Sequence, residues 1–433
     1  MSPAEVTAIL LGTFGLLVVL RVPVSFALGL ACVPILIVGE HLTPMMLLTE
    51  MLKSYNSFIL LAVPFFLLAA NVMNAAGITD RLVGLSKALV GHLPGGLGHV
   101  NVIVSMLFAG ISGSSTADAA GIGSLMIPAM KKQGYDANFS VALTACSSVM
   151  GVIIPPSIMM IVWGGLMSVS IGGLFLAGIV PGLLIALMMM ATVWGYAKSR
   201  GYPVYGRASL QEFMVALRGS VLALVTPAII VGGIVLGFFT PTEASVIAVL
   251  YSVFLGVFVY RSITLSSLPE ILCDSARLAA VPLFCIGTAS AFGWLLAYYH
   301  VPQALVQVLA SWGLGVITTG LVIALAFLAV GMFIDAIPAI IILGAVLSPV
   351  AQDVGMHPIH FAIIGVVALA FGLVTPPYGL CLLISCALGG VTVVQALRDV
   401  AVILLPMLLL LLMIVLFPEI VLFIPRNFAP DLL

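Results

Sequence analysis

Between Gly110 and Asp118 the chain reads Gly-Ile-Ser-Gly-Ser-Ser-Thr-Ala-Asp, inside a long apolar stretch. A carboxylate at the centre of a membrane helix costs about 2.5–3.5 kcal/mol on insertion scales, so it ordinarily faces a cavity or a partner. Non-helical backbone at that depth persists only where protein or a water-filled cavity satisfies it. Ser112, Gly113, Ser114, Ser115, Thr116 and Asp118 therefore read as half of a solute or ion site. A turn there would end one half-helix and start another. Carbonyls at the first end attract cations, and amides at the next attract carboxylates. Helix packing through small residues is the alternative for any one of these positions. It does not explain five consecutive small or hydroxyl residues with an acid beside them. Asp118 itself either touches an ion or caps the half-helix next to it.

A second group follows at Met150, Gly151, Val152, Pro155 and Pro156. Adjacent prolines lack amide hydrogens and disrupt the preceding turn, which is expected to release the carbonyls of Gly151 and Val152. Unwound carbonyls at mid-membrane are the usual material of sodium sites in transporters with broken helices. A plain proline kink is the alternative.

Both groups recur. Gly110, Gly123, Pro128, Gly134, Gly151, Pro155 and Pro156 return 221 residues later as Gly331, Gly344, Pro349, Gly355, Gly372, Pro376 and Pro377. Earlier in the chain, Pro23 and Pro64 are 41 apart, as are Pro241 and Pro282. The second candidate group is accordingly Gly331, Ile334 and Asp335 with Gly372, Leu373, Thr375, Pro376 and Pro377. The released carbonyls expected there are those of Gly372 and Leu373. Asp335 falls opposite Ser114, and it too either meets an ion or caps a helix. Glu243, at the start of a helix, is read as a dipole complement.

The elements that must hold these groups are membrane helices. The chain has 433 residues, 63 % hydrophobic and 7 % charged, far too few charges for a water-facing surface. Apolar runs of helix-spanning length are expected near 4–20, 22–40, 56–76, 138–168, 172–197, 218–238, 242–260, 279–298, 357–388 and 400–424. Regions 97–130 and 314–350 are apolar but broken by small polar residues, and each is expected to be a re-entrant hairpin. Segments 79–92 and 299–312 are expected to lie along the interface. The fold expected is an all-α polytopic membrane protein built from an inverted repeat. Residues 1–197 form the first unit and 218–433 the second, with 198–217 as a polar linker. Each unit has about five crossings plus a hairpin, followed by a broken helix at 138–168 or 357–388.

An odd number of crossings inverts the second copy. Placing the first hairpin's loops inside puts twelve of the 14 Lys and Arg residues in the cytoplasm. Both termini are then expected on the periplasmic side. The N-terminus has no basic residue before Arg21, so it is read as the first membrane helix, with no cleaved signal. The six cysteines show no metal or redox spacing and are expected to be buried. No Gly-Lys dipeptide occurs, which excludes a Walker phosphate loop, and no cofactor is expected.

The motifs Gly110–Asp118, Pro128 with Gly134, Pro155-Pro156-Ser157, Gly331-x-x-x-Asp335 and Thr375-Pro376-Pro377 resemble, in order and over the whole chain, the large membrane subunit (DctM type) of tripartite ATP-independent periplasmic (TRAP) transporters. More distantly they resemble sodium/dicarboxylate symporters. The resemblance implies sodium coupling, with Na+ held by the two groups above, and an elevator motion of the hairpin-bearing domain. It also implies import of organic acids across the bacterial inner membrane, such as C4-dicarboxylates, sialic acid or other sugar acids. Two partners are implied: a small four-helix membrane subunit (DctQ type) and a periplasmic substrate-binding protein (DctP type). A stand-alone dicarboxylate symporter and a channel are the rival transport readings. An intramembrane serine protease is a third rival, with Ser112 in Gly-Ile-Ser-Gly as nucleophile. It would need His300, His357 or His360 within hydrogen-bond reach of that serine.

Overall fold

In a computed structural model, which describes residues 2–39 and 42–433, the chain is helical throughout, and no strand occurs among the described residues. The first half runs α1 (Pro3–Val19), α2 (Val24–Ala31), α3 (Val33–Val38), α4 (Pro44–Tyr55), α5 (Ala62–Ala75) and α6 (Ile78–Val90). A hairpin follows, α7 (Gly96–Ser112) and α8 (Ser115–Lys132), then α9 (Ala137–Ser148), α10 (Ile158–Met167) and α11 (Ile171–Arg200). The second half runs α12 (Leu210–Val235), α13 (Pro241–Phe254), α14 (Leu268–Tyr298) and α15 (Val301–Ser311). Its hairpin is α16 (Val316–Gly331) with α17 (Ala336–Ala339), which continues through a π turn at Ile340–Gly344 into α18 (Ala345–Asp353). Then come α19 (Pro358–Gly372), α20 (Leu380–Gly389), α21 (Val393–Leu416) and α22 (Glu419–Phe428).

Among the described residues six helices are long and apolar enough to cross a membrane, or seven if α4 and the 59–75 segment, bent by 66°, count as one span. The remaining membrane-depth material consists of shorter apolar helices laid end to end, as in α9–α10 and α19–α20. Both Pro155–Pro156 and Pro376–Pro377 are cis and sit in the gaps between those paired helices.

The sequence halves interleave in space. Helices α1–α6 and α12–α15 pack largely on one another, with α13 on α5, α12 on α6, and α14 on α2, α4 and α5. The two hairpins and both broken helices form a second body, in which α20 touches α8 and α9, and α21 touches α9 and α11. At its centre Trp163 of α10 is fully buried against Phe327 of α16 and Phe361 of α19, with ring centroids 5.5 and 5.3 Å away. Such interlocked rings add about 0.5–1.5 kcal/mol per pair beyond area burial. Lys131 of α8 donates to the Gly389 carbonyl at the end of α20 (2.8 Å), a cation on a helix C-terminus that ties the halves together.

Several boundaries differ from expectation for local reasons. The linker is shorter than 198–217, because Lys198 and Arg200 lie in the last turn of α11 and Gly201 ends it. A capping box between Ser209 and Glu212 already starts α12 at Leu210. Helix α14 begins eleven residues before the expected 279, since Glu270, Asp274 and Arg277 lower its hydropathy without breaking its helix. The expected 400–424 span divides at Phe417–Pro418 into α21 and the separate α22. Among the cysteines, Cys273 is exposed and the other five are buried.

At the end of α11, Arg200 reaches two carboxylates, Asp136 (2.7 Å) and the largely buried Asp399 (2.9 Å). Tyr202 donates to Asp136 (2.9 Å), and burial pushes its phenol up to about 12, so the donor stays protonated at neutral pH.

Candidate functional site

The first hairpin turns on two residues. Gly113 takes φ +64°, a left-handed conformation that costs glycine nothing, and its N–H closes α7 on the Ala109 carbonyl (3.3 Å). Ser114 is extended and caps α8 by accepting from the Ala117 N–H (3.4 Å). Its hydroxyl also lies 3.2 Å from that of Thr116. The Ser112 hydroxyl donates to Asp118 Oδ1 and accepts from the Ser114 N–H.

Asp118 is fully buried, and its second oxygen, Oδ2, has no hydrogen-bond partner; the buried Ser115 hydroxyl has none either. No cation of the chain pairs with this carboxylate among the described ion pairs. A buried ionised carboxylate without a partner is strongly disfavoured. A proton or a cation at Oδ2 would remove that penalty.

Gly151 faces that oxygen. Any Cβ there would overlap the Asp118 carboxylate and stand 3.0 Å from the Ser114 carbonyl carbon. The break itself is knitted to the hairpin tip, since the Ile158 N–H donates to the Gly113 carbonyl (3.1 Å). Met150 accepts from Ile153 and Ile154 (3.0 and 2.8 Å). Pro155 and Pro156 follow, both buried.

The second hairpin is built differently at the same register. Asp335 stands where Ser114 stands in the first and caps α17, accepting from the Ala336 N–H (2.8 Å). Its carboxylate is nevertheless exposed to a cavity. Ile334 is buried behind it. Gly331 and Gly372 meet backbone to backbone. Thr375 turns its hydroxyl back onto the Phe371 carbonyl (2.7 Å), and Gly379 N–H donates to Met332 (3.3 Å). Thr375 and Pro376 are partly exposed and Pro377 is exposed, whereas the first break is almost wholly buried. The register mate of Asp118 is Ala339, so the buried acid belongs to the first half alone.

Three of the four carbonyls expected to be released are in fact used. Val152 accepts from the Ser157 hydroxyl (2.6 Å), Gly372 from Thr375 N–H (3.0 Å) and Leu373 from Cys381 N–H (3.0 Å). Prolines remove the regular donors, but short turns and a serine side chain replace them. Among the described residues no such bond is assigned to the Gly151 carbonyl.

A cavity of about 840 Å³ joins the two tips. Of the candidate residues, Ser112, Gly113, Ser114, Ser115, Thr116, Val152, Asp335 and Leu373 line it. Asp118, Met150, Gly151, Pro155, Pro156, Gly331, Ile334, Gly372, Thr375, Pro376 and Pro377 stand outside its wall. The opposite wall comes from α2, α5 and α14 and brings in residues absent from the candidate groups, chiefly Asn71, Asn74 and Arg277. Arg277 sits directly before an apolar run, and its position there was the available signal. A ladder of buried polar side chains along α7 and α9 lies outside both candidate groups. Asn101 donates to Thr144 (2.7 Å) and Ser105 to Ser147 (2.9 Å), at helical spacing on the face that leads to Ser112.

The nucleophile arrangement is not assembled. The Ser112 hydroxyl is directed at Asp118, His360 bonds the Ile414 carbonyl (2.8 Å) and His357 caps α19. Glu243 forms a capping box with Thr240, as its position at a helix start implied. Among the described residues no group of three or more His, Cys, Asp or Glu side chains could hold a metal ion.

Residues 11–420 match the family described as the DctM component of the tripartite ATP-independent periplasmic transporter. The chain is 38 % identical over 406 residues to the sialic acid TRAP transporter large permease protein SiaM of Vibrio cholerae, covering 94 % of this chain and 95 % of that one. It is 36 % identical over 377 residues to the C4-dicarboxylate TRAP transporter large permease protein DctM of Pseudomonas aeruginosa, covering 87 % and 88 %. Among solved structures, the Alcanivorax borkumensis YdaH transporter aligns with a TM-score of 0.61 at 15 % identity, over 86 % of this chain and 89 % of that one. That likeness concerns the fold.

Proposed function

The chain belongs to the DctM family of tripartite ATP-independent periplasmic transporters, as a multi-pass inner-membrane permease and not an enzyme, and from this premise we propose a sodium-coupled mechanism for the import of organic acids. Relatives named for sialic acid and for C4-dicarboxylates make carboxylate-bearing solutes the natural cargo.

The observation that carries the proposal is the unpartnered Oδ2 of the buried Asp118, set against the Gly151 backbone. A sodium ion held by Asp118, the Gly151 carbonyl and the hydroxyls of Ser112 and Ser115 neutralises that charge and satisfies both orphaned oxygens. Oxygen donors suit such a hard cation. A second sodium belongs near Asp335 and Thr375, closer to the cavity. The substrate then occupies the cavity between the tips, where the bound cations attract its carboxylate. Coupling follows from charge: an anion enters a largely apolar cavity favourably only when cations precede it.

The hairpin-bearing body moves as a unit against the frame of α1–α6 and α12–α15, with the two halves in inverted orientation. A small four-helix subunit braces the frame, and a periplasmic binding protein delivers the cargo.

The test is sodium binding by the purified chain. Sodium, compared with potassium at equal ionic strength, should raise its thermal stability. Saturation at 100 times the dissociation constant is worth about 2.7 kcal/mol. Asp118→Asn should abolish the sodium-specific increment while the protein still inserts. An undiminished increment in that variant removes Asp118 from the ion site.

A further inference from the structure

Arg277 is the one cationic side chain on the cavity wall among the described residues, and Asp335 is the one anionic side chain there. They lie on different bodies, Arg277 on α14 of the frame and Asp335 at the tip of the second hairpin. Cys285, also on α14, lines the cavity too. It stands eight residues further along, a rise of about 12 Å. The wall therefore carries its positive charge well away from Cys285, separated along the frame helix.

Arg277, Asn71 and Asn74 line the frame wall of the same cavity and carry spare donors. Arg277 gives one N–H to the exposed Asp274 (3.2 Å). A guanidinium has five donors, so most of its fork is left over. Asn74 accepts from the Thr79 hydroxyl through its carbonyl oxygen (3.0 Å), which leaves both of its amide N–H groups to donate. Asn71 is tethered to α14 by a bond to the Ser275 hydroxyl (2.9 Å) and keeps one N–H. Leftover donors on one cation and two fixed amides form the complement of a carboxylate, for which arginine's planar fork is suited.

We infer that Arg277, with Asn74 and Asn71, forms an anion subsite that takes the carboxylate of the transported acid on the frame side of the cavity. This rests on the transport reading above. Because the hairpin tips belong to the other body, any movement of that body against the frame changes their distance from Arg277. The subsite therefore acts at one end of the cycle, as the stage at which the acid leaves or enters the tips. Asp274 competes for the same guanidinium and weakens the subsite.

The experiment measures binding to the detergent-solubilised chain in sodium chloride. The probes are the carboxylates N-acetylneuraminate, succinate, 2,3-diketo-L-gulonate and D-gluconate, with the methyl ester of each as an uncharged control. For whichever acid the wild type binds, Arg277→Gln should weaken binding about twofold to fivefold, the range for a solvent-exposed charge. Ester binding should be unchanged, and Arg277→Lys should recover part of the loss. Asp274→Asn should tighten the acid and serves as the second arm, since it gains function and cannot be mistaken for misfolding. Equal weakening of acid and ester, or unaltered acid binding in both Arg277→Gln and Asp274→Asn, overturns the subsite and leaves the transport reading intact. Sodium-dependent binding of none of the four acids by the wild type brings both down.

Discussion

The free carboxylate oxygen of Asp118 occupies the space into which a side chain on Gly151 would project. One residue comes from the start of a hairpin arm and the other from a helix break, and the contact exists only because position 151 lacks a Cβ. Gly151→Ala should therefore displace the carboxylate before it disturbs the fold. Overpacking of this kind costs about 1–3 kcal/mol. The expected result is an inserted protein whose sodium affinity falls at least about tenfold, since 1.4 kcal/mol is a decade. Sodium-dependent thermal stability measures it. Wild-type affinity in Gly151→Ala would leave the glycine as a packing residue only.

Ser112 and Ser114 should separate ion binding from helix capping. Ser114 caps α8, so Ser114→Ala is expected to lose about 1 kcal/mol of stability along with some sodium affinity. Ser112 caps nothing, and its hydroxyl instead pairs with Asp118. Ser112→Ala takes away the one hydrogen bond on the buried Asp118 carboxylate, so it should cost about 1–3 kcal/mol in potassium and shift the sodium titration further than Ser114→Ala does. Stability losses in potassium with no sodium shift in either variant would assign both hydroxyls to scaffolding.

The clamp on Arg200 gives a prediction about stability. Asp399 is almost buried and Asp136 mostly exposed. Removing one partner of a buried pair strands the other, whereas exposed pairs contribute about 0–1 kcal/mol. Asp136→Asn should be nearly neutral. Arg200→Met, which strands Asp399, should cost about 1–3 kcal/mol. Thermal unfolding in detergent ranks them, and a larger loss for Asp136→Asn would show that the exposed contact dominates.

Much of this architecture could be read from the chain. Helix-length apolar runs and the recurrence of glycines and prolines 221 residues apart locate both hairpins and both breaks within a few residues. Hydropathy failed at α14, whose amphipathic start reads as polar although Ser275 and the residues around it are helical. It also gave no warning that Val152, Gly372 and Leu373 would find new donors, because Ser157, Thr375 and Cys381 reach them only once the breaks fold. Arg277 was visible only as a charge near a membrane edge. Its place on the cavity depends on how α14 crosses α5, which no local pattern encodes.

Orientation is open to a direct chemical test. The inverted arrangement puts Lys131–Gly134 in the cytoplasm and Asp353–His357 in the periplasm, at equivalent positions in the two halves. Single cysteines in each loop, in a background without reactive native cysteines, should label differently with an impermeant thiol reagent. Only the Asp353–His357 loop should react in intact cells, with Lys131–Gly134 reacting after permeabilisation. Equal reaction of both in intact cells would contradict the inverted arrangement.

The central claim is sodium-driven import by a permease that depends on other chains for capture and bracing. Reconstitution in liposomes tests it most directly, with this chain, a small four-helix membrane subunit and a binding protein loaded with an organic acid. Uptake should require all three components and an inward sodium gradient, and ATP should change nothing. Concentrative uptake by this chain alone, or uptake indifferent to the sodium gradient, would contradict the account.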